Sequence, residues 1–262
     1  MAVRIISGVI GAILLLTILL ALPEIATIIA VAIIASIALF EFCNANKLPV
    51  PVIVIAYFIG LGVMFCKELL ASIIIGLILF LITNVLIKKV TFKDCAYGLF
   101  GSIYVFGMMK YIFMVRLLNG GKYLIFAIFI GAFFTDIGAY FAGRAFGKHK
   151  LAPVISPKKT IEGSVGGVVL AVLGLVAFTY AGSRIFVYTP NYLNASLIAV
   201  ILSVISQFGD LGASSIKREA GIKDYGKLMP GHGGALDRFD SVLFVAPVFY
   251  YLNMILPIFV IK

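Results

Sequence analysis

Along the chain, apolar runs of about twenty residues alternate with short clusters of charge, glycine and proline. A bilayer core of ~30 Å takes about 20 helical residues to cross, so each run predicts one membrane-spanning helix. The pattern predicts nine of them, over 5–22, 24–43, 50–66, 69–87, 95–118, 123–147, 161–182, 192–213 and 239–261. The first lacks a small-residue cleavage site and the second follows at once, so it reads as a retained helix rather than a removed signal peptide. Pro23, Pro49, Pro51, Pro153, Pro157 and Pro190 fall between runs, where a missing N–H does least harm. Pro247 and Pro257 lie inside the last run and predict a kink.

Composition sharpens this picture. The 262 residues are 63% hydrophobic and 12% charged, with a mean hydropathy of +1.16. A soluble domain of this length has too little interior to hide so much apolar surface. A soluble fold, a disordered chain and a disulfide scaffold are therefore excluded. Cys43, Cys66 and Cys95 are isolated in or beside apolar runs and read as small buried hydrophobes.

The net charge of +10 points to an anionic leaflet or an anionic substrate, not to nucleic acid, in so apolar a chain. Sorted by loop, fifteen Lys and Arg fall on one side of the predicted spans and five on the other, with Lys110 inside a span. The richer side is assigned to the cytoplasm. The expected fold is thus all-α and polytopic, with about nine transmembrane helices, the N-terminus cytoplasmic and the C-terminus outside. Residues 1–93 read as a scaffold of hydrophobic helices. Residues 94–262 read as a catalytic region with basic, glycine-containing cytoplasmic loops at 148–160 and 214–238.

Polar residues concentrate between 210 and 240. Asp210 ends an apolar run, and an Asp at the membrane centre costs about 2.5–3.5 kcal/mol to insert, so it needs a cavity, a cation or a partner. Asp237 and Asp240, three residues apart, share one face at the start of the last helix. Carboxylates from two helices can converge on a hard cation such as Mg²⁺, which binds one or two carboxylates plus substrate phosphate oxygens. The run Pro230-Gly-His232-Gly233-Gly234 offers backbone N–H groups to a phosphate, and Lys217, Arg218, Lys223, Lys227 and Arg238 offer countercharge. His232 suits a phosphate or a nucleobase better than a metal, since no second His or Cys is near.

A second patch runs Ser156-Pro-Lys158-Lys159-Thr160-Ile-Glu162-Gly163, with Lys158, Lys159 and Thr160 expected at a helix N-terminus that favours an anion. Lys159 and Glu162 read as functional, whereas Gly163, Gly167 and Ala171 read as small-residue helix packing. Asp136, with Tyr140 and Arg144 one and two turns on, is an acid inside a span: a functional group or a structural partner of Lys110.

These residues carry a family resemblance. Ser214-Ser-Ile-Lys217-Arg218, then Lys223-Asp224, then Pro230-Gly-His232-Gly233-Gly234-Ala-Leu-Asp237-Arg238-Phe-Asp240 resembles the signature of the phosphatidate cytidylyltransferases, or CDP-diacylglycerol synthases, over 27 positions. The segments around Lys159 and Asp136 are similar to neighbouring regions of that family, so the likeness covers roughly 130–250. The resemblance implies condensation of CTP with phosphatidic acid to CDP-diacylglycerol and pyrophosphate, a step of phospholipid biosynthesis that requires Mg²⁺. It implies a metal site at Asp210 and Asp237, with Lys159 and Asp240 completing the catalytic set. Substrate contacts are then expected from Asp136, Lys158, Thr160, Glu162, Lys217, Arg218, Lys223, Asp224, Lys227, His232, Gly233, Gly234 and Arg238. A second, monovalent cation and a homodimer complete what the family implies, while the basic charge points to anionic lipids as partners. The active site is expected at the cytoplasmic interface, and the short N-terminus suggests a bacterial inner (plasma) membrane. A CTP-dependent membrane lipid kinase is the rival in chemistry, and a secondary transporter the rival from another class. A transporter predicts paired broken helices near the midplane, whereas the charges here gather at one surface.

Overall fold

The computed structural model describes Thr17 and residues 23–185, 188–228 and 233–261. The expected span 5–22 lies outside them except at Thr17. Helices follow as α1 (Glu24–Ala45), α2 (Val50–Phe65), α3 (Leu69–Leu86) and α4 (Phe92–Ser102). A π-helical turn, Ile103–Gly107, leads into α5 (Met108–Arg116), and a second, Ile130–Phe134, joins α6 (Gly121–Phe129) to α7 (Thr135–Phe146). Strands β1 (Lys150–Ala152) and β2 (Ser156–Thr160) precede α8 (Ile161–Ile185). The remainder is β3 (Tyr188–Pro190), α9 (Tyr192–Glu219), α10 (Leu236–Ile255) and β4 (Phe259–Ile261).

Among the described residues six helical segments are long and apolar enough to cross a membrane: α1, α3, Phe92–Arg116, Gly121–Phe146, Ile161–Arg184 and α9. Two expected spans fall short of that standard. α2 has 16 residues, and α10 carries Asp237, Arg238 and Asp240 in its first turns and Pro247 in its interior. The last expected span also stops early. Its helix ends at Ile255, Pro257 lies beyond it, and β4 pairs antiparallel with β3, Phe259 opposite Pro190. The all-α expectation is corrected by this pair and by the β1–β2 hairpin. The expected loop 214–238 is shortened from the front, because α9 continues to Glu219.

The chain forms two compact units, one of Met1–Phe113 with Glu219–Phe239 and the other of Met114–Arg218 with Asp240–Lys262. In the first, proline starts the helices: Pro23 and Pro49 hold extended backbone before α1 and α2, and Pro51 sits in the first turn of α2. Thr91 and Asp94 form a reciprocal capping box at α4, Asp94 N–H donating to Thr91 Oγ1 and Thr91 N–H to Asp94 Oδ2. Leu39, Phe42, Ala56, Ile59 and Phe106 are fully or almost fully buried in this unit, while Ile29, Ile33, Leu77 and Ile78 point outward. Such an apolar exterior suits a lipid environment. Cys43 and Cys95 are buried as expected, but Cys66 is exposed.

In the second unit α7 packs against α8 through small residues. A Cβ on Gly138 would lie 2.6 Å from the Gly166 carbonyl oxygen, and one on Gly167 would lie 2.8 Å from that of Thr135. Ala171 is fully buried. Close backbone approach replaces hydrophobic contrast as the source of helix packing in lipid.

Candidate active site

The second unit holds the basic cleft, and its position follows from how α8 begins. Thr160 Oγ1 accepts from Gly163 N–H at 3.1 Å, so Thr160 caps the helix with its own side chain. Glu162 accepts from the backbone N–H groups of Lys148 (3.1 Å) and His149 (3.2 Å), and His149 Nδ1 lies 2.6 Å from its Oε1. Both residues were expected to contact substrate. The structure has them fastening the hairpin to the helix. Lys158 and Lys159 lie on β2, not on the helix terminus, and Lys150 pairs with Thr160 across the hairpin.

That geometry turns Lys159 toward α9. Its Nζ lies 2.5 Å from Asp210 Oδ2, and Ser214 Oγ, one turn along α9, donates to Asp210 Oδ1 at 3.3 Å. Asp136, Tyr140, Lys158, Lys159, Gln207 and Asp210 line one cleft of about 260 Å³. Gln207 Nε2 donates to the Ser164 carbonyl at 3.4 Å, tying α9 to α8 beneath it. Asp136 therefore shares a cavity with Lys159 and Asp210. Lys110 Nζ donates to the Val63 carbonyl at 3.2 Å.

Asp240 is buried in the same unit. Its Oδ1 accepts from Ser241 N–H at 2.8 Å, and its Oδ2 lies 4.0 Å from Lys217 Nζ, both side chains being about nine-tenths enclosed. Lys217, expected in the cytoplasmic loop 214–238 as a substrate contact, is a buried cation on α9. Arg218 beside it is exposed at the helix end, where a positive charge is favoured by the helix dipole.

Asp237 belongs to the first unit. Its Oδ2 accepts from Tyr225 N–H at 2.7 Å and from Gly234 N–H at 3.0 Å. Gly233 has φ +89°, and a Cβ there would press on the Asp237 carboxylate. Lys223, Asp224, Lys227 and Arg238 are exposed around this turn, and His232 lies outside the described residues. One participant escaped sequence reasoning. Glu41, near the end of α1, is buried, and its Oε1 and Oε2 accept from Ala235 N–H (3.0 Å) and Leu236 N–H (2.9 Å). Its only local signal is an acid inside an apolar run.

The donor chemistry suits a hard cation. Among the described residues no three His, Cys, Asp or Glu side chains gather into a ready-made metal cage. Mg²⁺ needs none, because it keeps waters and takes one or two carboxylates alongside phosphate oxygens. Asp210 is half-exposed on a cleft and already holds a cationic group, the Lys159 ammonium. The cleft sets a lysine ammonium against a carboxylate, a donor set able to meet an anion and a hard cation.

A model described as the cytidylyltransferase family matches residues 2–256. Phosphatidate cytidylyltransferase of Staphylococcus haemolyticus is 42% identical, over 64% of this chain and 62% of that protein. The proteins of the same name from Bacillus subtilis and Staphylococcus aureus (strain COL) are 35% and 37% identical. Those two matches cover 95% and 98% of this chain and 96% and 99% of the relatives. With the family model matched along almost all of its length, the chain belongs to the cytidylyltransferase family.

Proposed function

We infer that this protein is a phosphatidate cytidylyltransferase, which joins CTP to phosphatidic acid and yields CDP-diacylglycerol and pyrophosphate. The observation that carries this reading is the end-to-end match to relatives of that name, at 35% and 37% identity. The Lys159–Asp210 cleft, with its paired charges, supports it. A phosphate oxygen of phosphatidic acid attacks the α-phosphorus of CTP. The new O–P bond forms as the bond to the β-phosphate oxygen breaks, and pyrophosphate leaves with that electron pair. A phosphate monoester with a second pKa near ~6 is already anionic at neutral pH, so the protein need supply no strong base. Its task is to hold two polyanions together and neutralise them.

We assign that task to Lys159 and Lys217, with the exposed Lys158, Arg218, Lys223, Lys227 and Arg238 adding countercharge. Asp210 and Asp237 are the carboxylates we assign to Mg²⁺, which would withdraw charge from the phosphates, with a monovalent cation assisting. Asp240 keeps Lys217 in place. Residues 1–93 act as scaffold and 94–262 carry the reacting groups. Nine spans, a cytoplasmic N-terminus, an active site facing the cytoplasm of a bacterial inner membrane, and a homodimer among anionic lipids complete the proposal. The fifteen-to-five distribution of Lys and Arg supports the orientation.

The test is product analysis with purified protein, phosphatidic acid and CTP labelled in the base. Label in a lipid extract together with free pyrophosphate is the expected result. Release of CDP with an unlabelled phospholipid would instead mean a CTP-dependent lipid kinase, and an absence of turnover would favour a transporter.

A further inference from the structure

The first unit contains a carboxylate that the mechanism above does not use. Glu41 is 7% exposed, and each of its oxygens accepts a backbone N–H, from Ala235 and Leu236. Those two amides lie at the start of α10, where a helix has donors with no internal partner. An oxygen-bearing side chain usually caps such a start, but Ala235, the residue before the helix, has none. Glu41 supplies the cap from 194 residues away, with its negative charge at the positive end of the helix dipole. Space has been cleared for it. A Cβ on Gly226 or on Gly234 would run into the Glu41 carboxylate. The same short stretch carries Asp237, held by Tyr225 N–H and Gly234 N–H, and the Tyr225 ring lies 6.5 Å from that of Phe42. Glu41 and Phe42 thus grip, from α1, both sides of the turn that orients Asp237.

We propose that Glu41 is a positioning residue for nucleotidyl transfer: it fixes residues 225–228 and 233–236 and the first turn of α10 so that Asp237 is presented in one orientation. The proposal rests on the cytidylyltransferase reading and on Asp237 as a metal-binding group. Supporting residues of this kind typically change metal affinity or activity by roughly 10–100-fold when altered.

Three measurements on the full-length protein in detergent decide it, using Glu41→Gln and Gly226→Ala. Glu41→Gln keeps one acceptor and loses the other, and Gly226→Ala presses on the carboxylate from the loop. Both variants are expected to raise the Mg²⁺ concentration for half-maximal activity by roughly tenfold or more. The KM for phosphatidic acid should change little. In the ligand-free protein, backbone amides of 225–228 and 233–236 should exchange hydrogen faster, while those of α2 keep their protection. A uniform drop in kcat with unchanged Mg²⁺ dependence and unchanged exchange would overturn the positioning role. So would failure of both variants to fold, which would make Glu41 a determinant of the fold. A wild-type protein that makes no CDP-diacylglycerol would sink the functional reading, while the exchange result would still report on the cap.

Discussion

Lys159 and Asp210 form the tightest charged contact described in the cleft, and each is only partly exposed. A lone lysine on a solvated loop would be one among many cations. This one is held on a strand, aimed at a carboxylate, inside a cavity it shares with Asp136. Lys159→Ala is therefore expected to lower kcat by about 10²-fold or more, the scale for losing one group that meets developing charge. Lys89→Ala, at an exposed position after α3, should leave the rate near wild type. Equal losses in a steady-state assay would reduce the lysine to generic charge. Much of this was legible in the sequence, because Lys159 and Asp210 stand out against apolar surroundings. The structural contacts of Thr160 and Glu162 were not legible for a physical reason: residues that cap a helix and residues that bind an anion there have the same polar character. Glu41 showed only as an acid inside an apolar run, because its partners are distant in sequence and local patterning carries no trace of them.

At the scale of elements, apolar run length located the helices well. The expected 69–87 is α3, Leu69–Leu86, and the expected 123–147 is Gly121–Phe146. The end of the last helix was not legible, since 256–261 reads as apolar whether it forms helix or strand. The hairpin was hidden too, because its strands have three and five residues and carry no long alternation. What the glycines of α7 and α8 do is clear only in space. Gly138→Val is expected to push against the Gly166 carbonyl and the Leu170 Cβ, 2.6 and 2.8 Å from a Cβ there. A loss of roughly 1–3 kcal/mol, typical of overpacking, should appear as a lower midpoint in thermal unfolding in detergent. An unchanged midpoint would mean that the two helices tolerate separation.

For the whole molecule, the metal and the orientation make separate predictions. Removing divalent ions with a chelator should abolish turnover, and added Mg²⁺ should restore it. Full activity in chelator would leave Asp210 and Asp237 without the role proposed for them. If the basic loops face the cytoplasm, a cysteine introduced by Lys150→Cys in a Cys66→Ser background should react with a membrane-impermeant maleimide in inside-out vesicles and not in intact cells. The opposite pattern would invert the topology. Basic residues are informative about orientation because their transfer across the bilayer is resisted, whereas apolar runs look alike in either direction.

The cap that Glu41 gives α10 also has a consequence for biosynthesis. Its second donor, Leu236, is 195 residues further along the chain. At about 5–20 residues per second, a ribosome takes about 10–40 s to reach it. Throughout that interval an acid belonging to an early hydrophobic helix has emerged without the amides that will satisfy it. A nascent chain arrested before Gly234 should therefore hold α1 less firmly in the bilayer than a completed one does, and quality control would meet that helix first.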